Sequence, residues 1–182
     1  MKQYIKVPYA ILDLNVSIQC KCVYLALMRT RSGSSKQIKV KLGTIARNAE
    51  LQIRQTGMHL ATLCDQNVLS KKQVSYKGYY GCNTYHILCD ESKFAQLPYP
   101  IAWHEELTAY DKIAYCVMKR YTDLNKGNYT SYLSKEQLAG LLKCSPNQVD
   151  KIKVRLRKAG FISYARNSKE IILIYEKELD NQ

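Results

Sequence analysis

The side chains with the clearest chemistry lie in one segment, between residues 147 and 158. Amide and cationic groups recur there three or four residues apart, which places them along one side of a helix. Such groups donate hydrogen bonds to anionic oxygens and to the edges of nucleic-acid bases. The groups are those of Asn147, Gln148, Lys151, Arg155 and Lys158. The pattern favours binding to a polyanion over the making or breaking of covalent bonds.

The charge of the whole chain favours the same kind of partner. Lys and Arg number 28 against 15 Asp and Glu, which gives a net charge of +13 over 182 residues. Basic residues recur throughout, and no segment sets a basic face against a Trp/Leu face, so nucleic acid is favoured over a membrane surface. On charge alone an RNA-binding role stays open. Residues 1–90 hold 13 basic and 4 acidic side chains (+9) and residues 91–182 hold 15 and 11 (+4). We therefore expect the first half to supply more of the electrostatic affinity.

The sequence shows no catalytic or metal-binding constellation. The three histidines are far apart, at His59, His86 and His104, and no Ser-His-Asp, P-loop or metal signature surrounds them. The only close cysteine pair is Cys20 and Cys22, and no second pair completes a zinc site. We expect a protein that is not an enzyme and that uses no cofactor and no metal.

Cysteine usage and hydropathy predict the compartment. The seven cysteines are an odd number scattered through apolar patterns, which is typical of small hydrophobic residues in a reducing compartment. No run of 18 apolar residues exists, and the first nine residues lack the apolar stretch of a signal peptide. We expect a cytoplasmic protein without a membrane partner.

An internal repeat organises the chain. The matching segments are Val7-Pro8-Tyr9 with Leu97-Pro98-Tyr99, Lys21-x-x-Tyr24 with Lys112-x-x-Tyr115, Gln55 with Gln148, and Leu63 with Leu156. The offset between partners drifts only from 90 to 93 residues. This common order predicts two copies of one structural plan, covering residues 1–90 and 91–182.

Local signals in the second half predict two helices joined by a tight turn. Ser134 and Gln137 form a capping box that starts a short helix. Ser145 is placed to cap the next helix and Pro146 to occupy its first position, where a missing amide proton costs nothing. Gly160 follows the last turn as a stop signal. An amphipathic helix over 108–121 precedes this pair, and a hairpin over 161–175 with a basic tip follows it.

The first half carries the same plan. Helices are predicted over 17–29, 42–48 and 53–66, with Asn67 replacing a glycine at the end of the third, and a hairpin follows over 69–88. In the third helix we expect four side chains to face inward, namely Ile53, Thr56, Leu60 and Leu63. Four others should face outward, namely Arg54, Gln55, His59 and Thr62. The hairpin is basic and aromatic, with Lys71, Lys72 and Lys77 near Tyr79 and Tyr80.

This order of helix, short helix, tight turn, basic helix and hairpin resembles the winged helix-turn-helix family. The resemblance implies an α+β fold of two tandem winged helix-turn-helix units, each with three helices and a β-hairpin wing, related by a pseudo-two-fold internal duplication. In that family the second helix of the motif enters the major groove of DNA, and the wing meets the backbone or the minor groove. The implied DNA contacts are Arg54, Gln55, His59, Thr62, Lys71, Lys72, Lys77, Asn147, Gln148, Lys151, Arg155, Lys158, Arg166 and Lys169.

The tandem plan and the opening segment Tyr4–Tyr9 also resemble small proteins of Gram-positive plasmids and conjugative elements. Similarity to TraN-like transfer proteins implies sequence-specific binding of double-stranded DNA, as a transcriptional repressor or a relaxosome accessory of a transfer region. Similarity to plasmid and phage replication initiators implies, as the alternative, binding to origin repeats. An alternative of a different class is a winged-helix adaptor that binds protein. We expect a monomer that acts as an internal pseudo-dimer, or a weak homodimer.

Overall fold

Helices and short antiparallel sheets alternate along the chain in the computed structural model, which describes residues 4–76, 79–122, 129–164 and 170–174. The chain divides into two units. The first unit is Lys6–Lys93, and the second unit combines Met1–Ile5 with Phe94–Gln182. Three predicted DNA contacts lie outside the described residues, namely Lys77, Arg166 and Lys169.

The elements follow one another in the same order in both halves of the chain. The first eight are β1 (Tyr4–Pro8), α1 (Tyr9–Asp13), α2 (Ile18–Met28), β2 (Gln37–Val40), α3 (Leu42–Ala49), α4 (Ile53–Asp65), β3 (Leu69–Tyr76) and β4 (Tyr79–Ile87). The next eight are β5 (Phe94–Pro98), α5 (Tyr99–Ala102), α6 (Ala109–Arg120), β6 (Thr130–Ser131), α7 (Lys135–Leu142), α8 (Pro146–Lys158), β7 (Ile162–Tyr164) and β8 (Ile171–Leu173). The predicted mixed α+β class is confirmed. None of the described helices is long and apolar enough to cross a bilayer.

Each unit holds a three-stranded antiparallel sheet, in the order β2-β4-β3 in the first and β6-β8-β7 in the second. In the first unit Lys39 and Lys72 both pair with Thr84 of the central strand. Ile38 and Val40 are buried, whereas their neighbours along β2 are exposed. Because successive strand residues point to opposite faces, Lys39, Thr84 and Lys72 share the outer face of this sheet.

The helices α2 and α6 form the centres of the two cores. They begin where the sequence predicted, because Ser17 Oγ accepts a hydrogen bond from the Cys20 amide at 3.3 Å and Thr108 Oγ1 accepts one from the Asp111 amide at 3.4 Å. Almost every residue of both helices is buried. Even Lys21 is buried, and its Nζ donates to the Leu12 carbonyl near the end of α1. The helices predicted over 17–29 and 108–121 are thus confirmed.

The turn chemistry predicted for the second unit is also confirmed. Gln137 Oε1 accepts from the Ser134 amide at 2.8 Å, and Ser134 Oγ accepts from the Gln137 amide at 3.1 Å, so the capping box is formed. Ser145 Oγ accepts from the Gln148 amide at 3.3 Å at the start of α8. Gly160 has a φ of +79° just beyond α8, a conformation that glycine adopts without penalty.

The short helices α3 and α7 end in a way that the sequence did not reveal. Glu50 and Lys143 follow them in the left-handed conformation, with φ of +55° and +50°. A residue with a Cβ pays roughly 1–2 kcal/mol to adopt it. These residues turn the chain sharply, so that the next helix begins three residues later in both units, at Ile53 and at Pro146.

One prediction about the interior is wrong. Ile53 was expected to face inward and is instead 59% exposed. It is the first residue of α4 and lies ahead of the turn in which the helix meets the core. Thr56, Leu60 and Leu63 are buried as predicted, and Asn67 takes the predicted left-handed conformation, with a φ of +54°.

Candidate nucleic-acid interface

One side of α8 is fixed in the core of the second unit. Val149, Ile152 and Leu156 are fully buried and spaced three and four residues apart. Burying an apolar side chain of this size contributes roughly 1.5–3 kcal/mol. The rotation of α8 about its axis is therefore set by these contacts, and its opposite side is held toward solvent.

Four exposed residues form a stripe on that opposite side. They are Asn147, Lys151, Val154 and Lys158, which we call the α8 stripe. At about 100° per residue, the spacing of four, three and four places them within an arc of roughly 60°. Val154 is 64% exposed although it is apolar. The stripe therefore presents an amide, two ammonium groups and one methyl-bearing side chain to the same solvent region.

The stripe differs from the predicted one. Asn147, Lys151 and Lys158 are exposed as expected, but Gln148 is half-buried at its flank. Val154 was missed because the prediction selected residues by polarity. Val154 follows Asn147 by seven residues and Lys151 by three. This helical spacing places all three on one face and was the signal that could have identified Val154.

Arg155, a predicted DNA contact, forms hydrogen bonds within its own unit. Its Nε and Nη2 each donate to a carboxylate oxygen of Asp111 at 2.8 Å. Asp111 is fully buried on α6, where its Oδ2 also accepts from the amide and the hydroxyl of Thr108 at 2.8 Å. The hydrogen bonds that Arg155 donates to the Asp111 carboxylate raise the pKa of the Arg155 guanidinium. Arg155 thus ties α8 to α6.

The remaining cations of α8 lie away from the stripe. Lys153 is buried, and burial lowers the pKa of its ammonium group. Arg157 is exposed and lies over the ring of Tyr164, with 5.5 Å between its Cζ and the ring centroid. Arg155, Arg157 and Lys158 all fall in the last turn, where positive charge is stabilised by the helix dipole. Part of the positive charge of α8 therefore stabilises the helix itself.

The predicted contacts on α4 are only partly exposed. Arg54 and Gln55 are exposed, whereas His59 and Thr62 are half-buried. Burial lowers the pKa of the His59 imidazole, and the Thr62 hydroxyl donates to the Met58 carbonyl at 3.1 Å within the helix. Of the four side chains, those of Arg54 and Gln55 extend furthest into solvent.

The exposed stripe of α4 has the same spacing as that of α8 but a different composition. It consists of Arg54, Met58, Ala61 and Asp65, which we call the α4 stripe. Each member precedes a member of the α8 stripe by 93 residues, the offset that relates Gln55 to Gln148. One positive and one negative charge cancel on α4, whereas the α8 stripe carries two positive charges. The larger positive charge of the first half therefore does not lie on this face of α4.

Two exposed lysines lie on the outer sheet face of the first unit. Lys39 and Lys72 flank Thr84, which is buried between their strands. Strand spacing places their backbones about 10 Å apart. Lys71 is also exposed, but it pairs with Tyr85 and so lies on the opposite face of the sheet. Of the predicted wing lysines, Lys72 shares the outer face with Lys39.

The segment from α6 to the start of β7 carries the comparison with known proteins. Residues 105–162 match the family model of a helix-turn-helix domain. The match includes α7, the left-handed turn at Lys143 and α8, so α8 occupies the place of the second helix of the helix-turn-helix motif. No curated protein matches the chain.

A helix-turn-helix domain supports DNA binding by the second unit. In such domains the second helix of the motif lies in the major groove, and its leading residues contact base edges. The α8 stripe starts at Asn147, the second residue of that helix. The exposed face of α8 therefore lies within the matched domain, on the helix that this domain type uses to contact DNA.

Proposed function

We propose that this protein binds double-stranded DNA in a sequence-specific manner and inserts α8 into the major groove. The observation that carries the proposal is the α8 stripe, which is exposed on the side of α8 opposite the core of a helix-turn-helix domain. Its members match the chemistry of the major groove, where amides, cations and methyl-bearing side chains each have a recognition partner. The proposed activity is binding alone, without a catalytic step.

Each stripe residue has a distinct proposed role. Asn147 hydrogen-bonds adenine through its amide, and Lys151 donates to guanine or to a nearby phosphate. Val154 contacts the methyl group of thymine. Lys158, eleven residues and about 16 Å beyond Asn147, contacts a backbone phosphate. Gln148 supports base recognition from the flank of the stripe.

We propose unequal roles for the two units. Lys39 and Lys72, on the outer sheet face of the first unit, contact phosphates and add affinity without sequence information. A DNA contact by Lys71, on the opposite face, stays a prediction. Base contacts by Gln55 and its neighbours on α4 stay a prediction. Because the α4 stripe has no net charge, we favour α8 as the helix that contacts the bases. The equal order of elements in the two halves supports the assignment of both units as tandem winged helix-turn-helix units.

The proposed biological role is that of a repressor or relaxosome accessory in the transfer region of a mobile element. The resemblance to TraN-like transfer proteins supports this role, and binding to origin repeats as a replication initiator is the alternative. The two roles differ in where the DNA site lies. A site that overlaps a promoter or transfer origin supports the first, and repeats at a replication origin support the second.

The experiment is selection of bound duplexes from a random double-stranded pool. We expect one enriched site. With Asn147→Ala, the preference at one base position should relax by about 1–3 kcal/mol of discrimination. Lys151→Ala should weaken binding and, where Lys151 meets a phosphate, lower the slope of log affinity against log salt by about one. Lys93→Ala, which removes an exposed lysine outside the proposed interface, is the control for loss of charge.

Two results would count against the proposal. Failure of the wild-type protein to enrich any site would reject sequence-specific recognition. An enriched site that survives Asn147→Ala and Lys151→Glu unchanged would remove α8 from the interface. In that case the adaptor class, in which the helix-turn-helix domain binds protein, becomes the better account.

A further inference from the structure

The α4 stripe is exposed and half apolar, and the proposed base contacts are assigned to the α8 stripe in its place. Met58 is 63% exposed and Ala61 is also exposed, opposite the buried Thr56, Leu60 and Leu63. Covering the Met58 side chain with a partner would remove apolar surface from water, which is favourable. The face therefore has the properties of a contact surface.

The two charged residues of the stripe lie at the unfavourable ends of α4. Arg54 is its second residue and Asp65 its last. The amino end of a helix repels a cation and its carboxyl end repels an anion, each by some tenths of a kcal/mol. Within the part of the chain that the structure describes, neither residue forms an ion pair. Among the described residues, each charge therefore lacks a compensating ion pair.

The stripe is complementary to itself when a second α4 runs antiparallel. Pairing about the midpoint between His59 and Leu60 places Arg54 opposite Asp65 of the second copy. Met58 then lies opposite Ala61, so a large side chain meets a small one. Both contacts occur twice, as a two-fold interface requires.

The antiparallel arrangement also reverses the dipole penalties. Arg54 of one copy lies beside the carboxyl end of the other α4, where a cation is favoured, and Asp65 lies beside its amino end, where an anion is favoured. The charges are eleven residues, or about 16 Å, apart along each helix, so the two ion pairs lie at opposite ends of the contact. We propose that the protein self-associates into a two-fold dimer through antiparallel packing of α4 against α4.

The corresponding face of α8 cannot do the same. Pairing α8 antiparallel to itself would place Lys158 opposite Asn147 and Lys151 opposite Val154, so neither lysine would meet an anion among the stripe residues. The inference rests on the α4 stripe alone, and it holds or fails independently of DNA binding.

The test is sedimentation equilibrium of the full chain over a wide concentration range. We expect a monomer–dimer equilibrium for the wild type. Arg54→Glu and Asp65→Arg each place like charges at both ends of the interface, so each should weaken self-association roughly tenfold. Met58→Glu, which puts a charge in the centre of the contact, should abolish it. Lys36→Glu reverses an exposed charge of the same unit outside α4 and serves as the control.

Exchanging the charges of Arg54 and Asp65 is the decisive test. The double variant Arg54→Glu/Asp65→Arg restores opposite charges across the interface and should dimerise like the wild type. An equimolar mixture of the two single variants should form a heterodimer in which all four charges are paired. Thermal melting by circular dichroism verifies that each variant is folded.

Four outcomes overturn the proposal. The first is a wild type that stays monomeric at every concentration tested. The second is a dimer that neither Arg54→Glu nor Asp65→Arg weakens. The third is a loss of DNA binding in Arg54→Glu without a change in self-association, which would make α4 a DNA contact instead. The fourth is a loss of dimerisation that the double variant fails to restore, which would exclude the antiparallel register.

Discussion

The ion pair between Arg155 and Asp111 should be a strong determinant of the stability of the second unit. Asp111 is fully buried, and the Arg155 side chain is 31% exposed. Removing one partner of a fully buried pair costs about 3–5 kcal/mol, because an uncompensated charge remains. Because water can reach the Arg155 side chain, we expect Asp111→Ala to lower the free energy of unfolding by about 2–4 kcal/mol. This variant also loses the hydrogen bond between the Thr108 amide and Asp111 that caps α6. Arg155→Ala should cost about 2–3 kcal/mol, since the Thr108 hydrogen bonds to Asp111 persist.

The assay is urea unfolding of the two single variants and of the double variant. The double variant leaves no charge unpaired, so it should cost at least about 1.5 kcal/mol less than the sum of the single variants. Lys158→Ala removes an exposed cation of the same helix and should stay within about 0.5 kcal/mol of the wild type. Single-variant effects that add to within about 0.5 kcal/mol would refute the reasoning, because they would show that the two side chains do not interact.

Three further predictions concern local features of the fold. Gly57→Ala should raise the free energy of unfolding by up to about 1 kcal/mol, measured in urea, because Gly57 is inside a helix and an added Cβ would meet only the Leu42 side chain, at 3.9 Å. Ser145→Ala should cost about 1 kcal/mol in the same assay through loss of the hydrogen bond to the Gln148 amide. The pKa of His59 is lowered from its ordinary 6.5 by burial, so the unfolded chain takes up the proton first and stability should fall as the pH drops below about 6.5. His59→Gln should flatten that part of the stability profile, and an unchanged profile would assign the pH dependence to other groups.

Local turn chemistry made much of the fold predictable from the sequence. A capping box such as Ser134 with Gln137 involves residues three apart, so its hydrogen bonds are decided within one turn of helix. The same holds for Ser145 at the start of α8 and for Gly160 and Asn67 just beyond α8 and α4. These signals set the helix boundaries to within about a residue.

Features that depend on distant partners were not predictable in this way. Asp111 lies 44 residues from Arg155 in sequence, so no local spacing identified Arg155 as a residue that joins two helices. Val154 was missed for another reason, since a search for polar residues passes over an apolar one on an exposed face. The left-handed turns at Glu50 and Lys143 carry no glycine, so their residue types gave no signal.

The most direct test of the central claim, that α8 contacts DNA bases, is photo-crosslinking on the selected duplex. A photoreactive amino acid replaces Val154 on α8 in one sample and Met58 on α4 in another; both positions are exposed, so neither replacement disturbs the core. The account predicts an efficient crosslink from position 154 to a base within the selected site, and none from position 58. A crosslink from position 58 to bases, with none from position 154, would contradict it and transfer the reading role to the first unit.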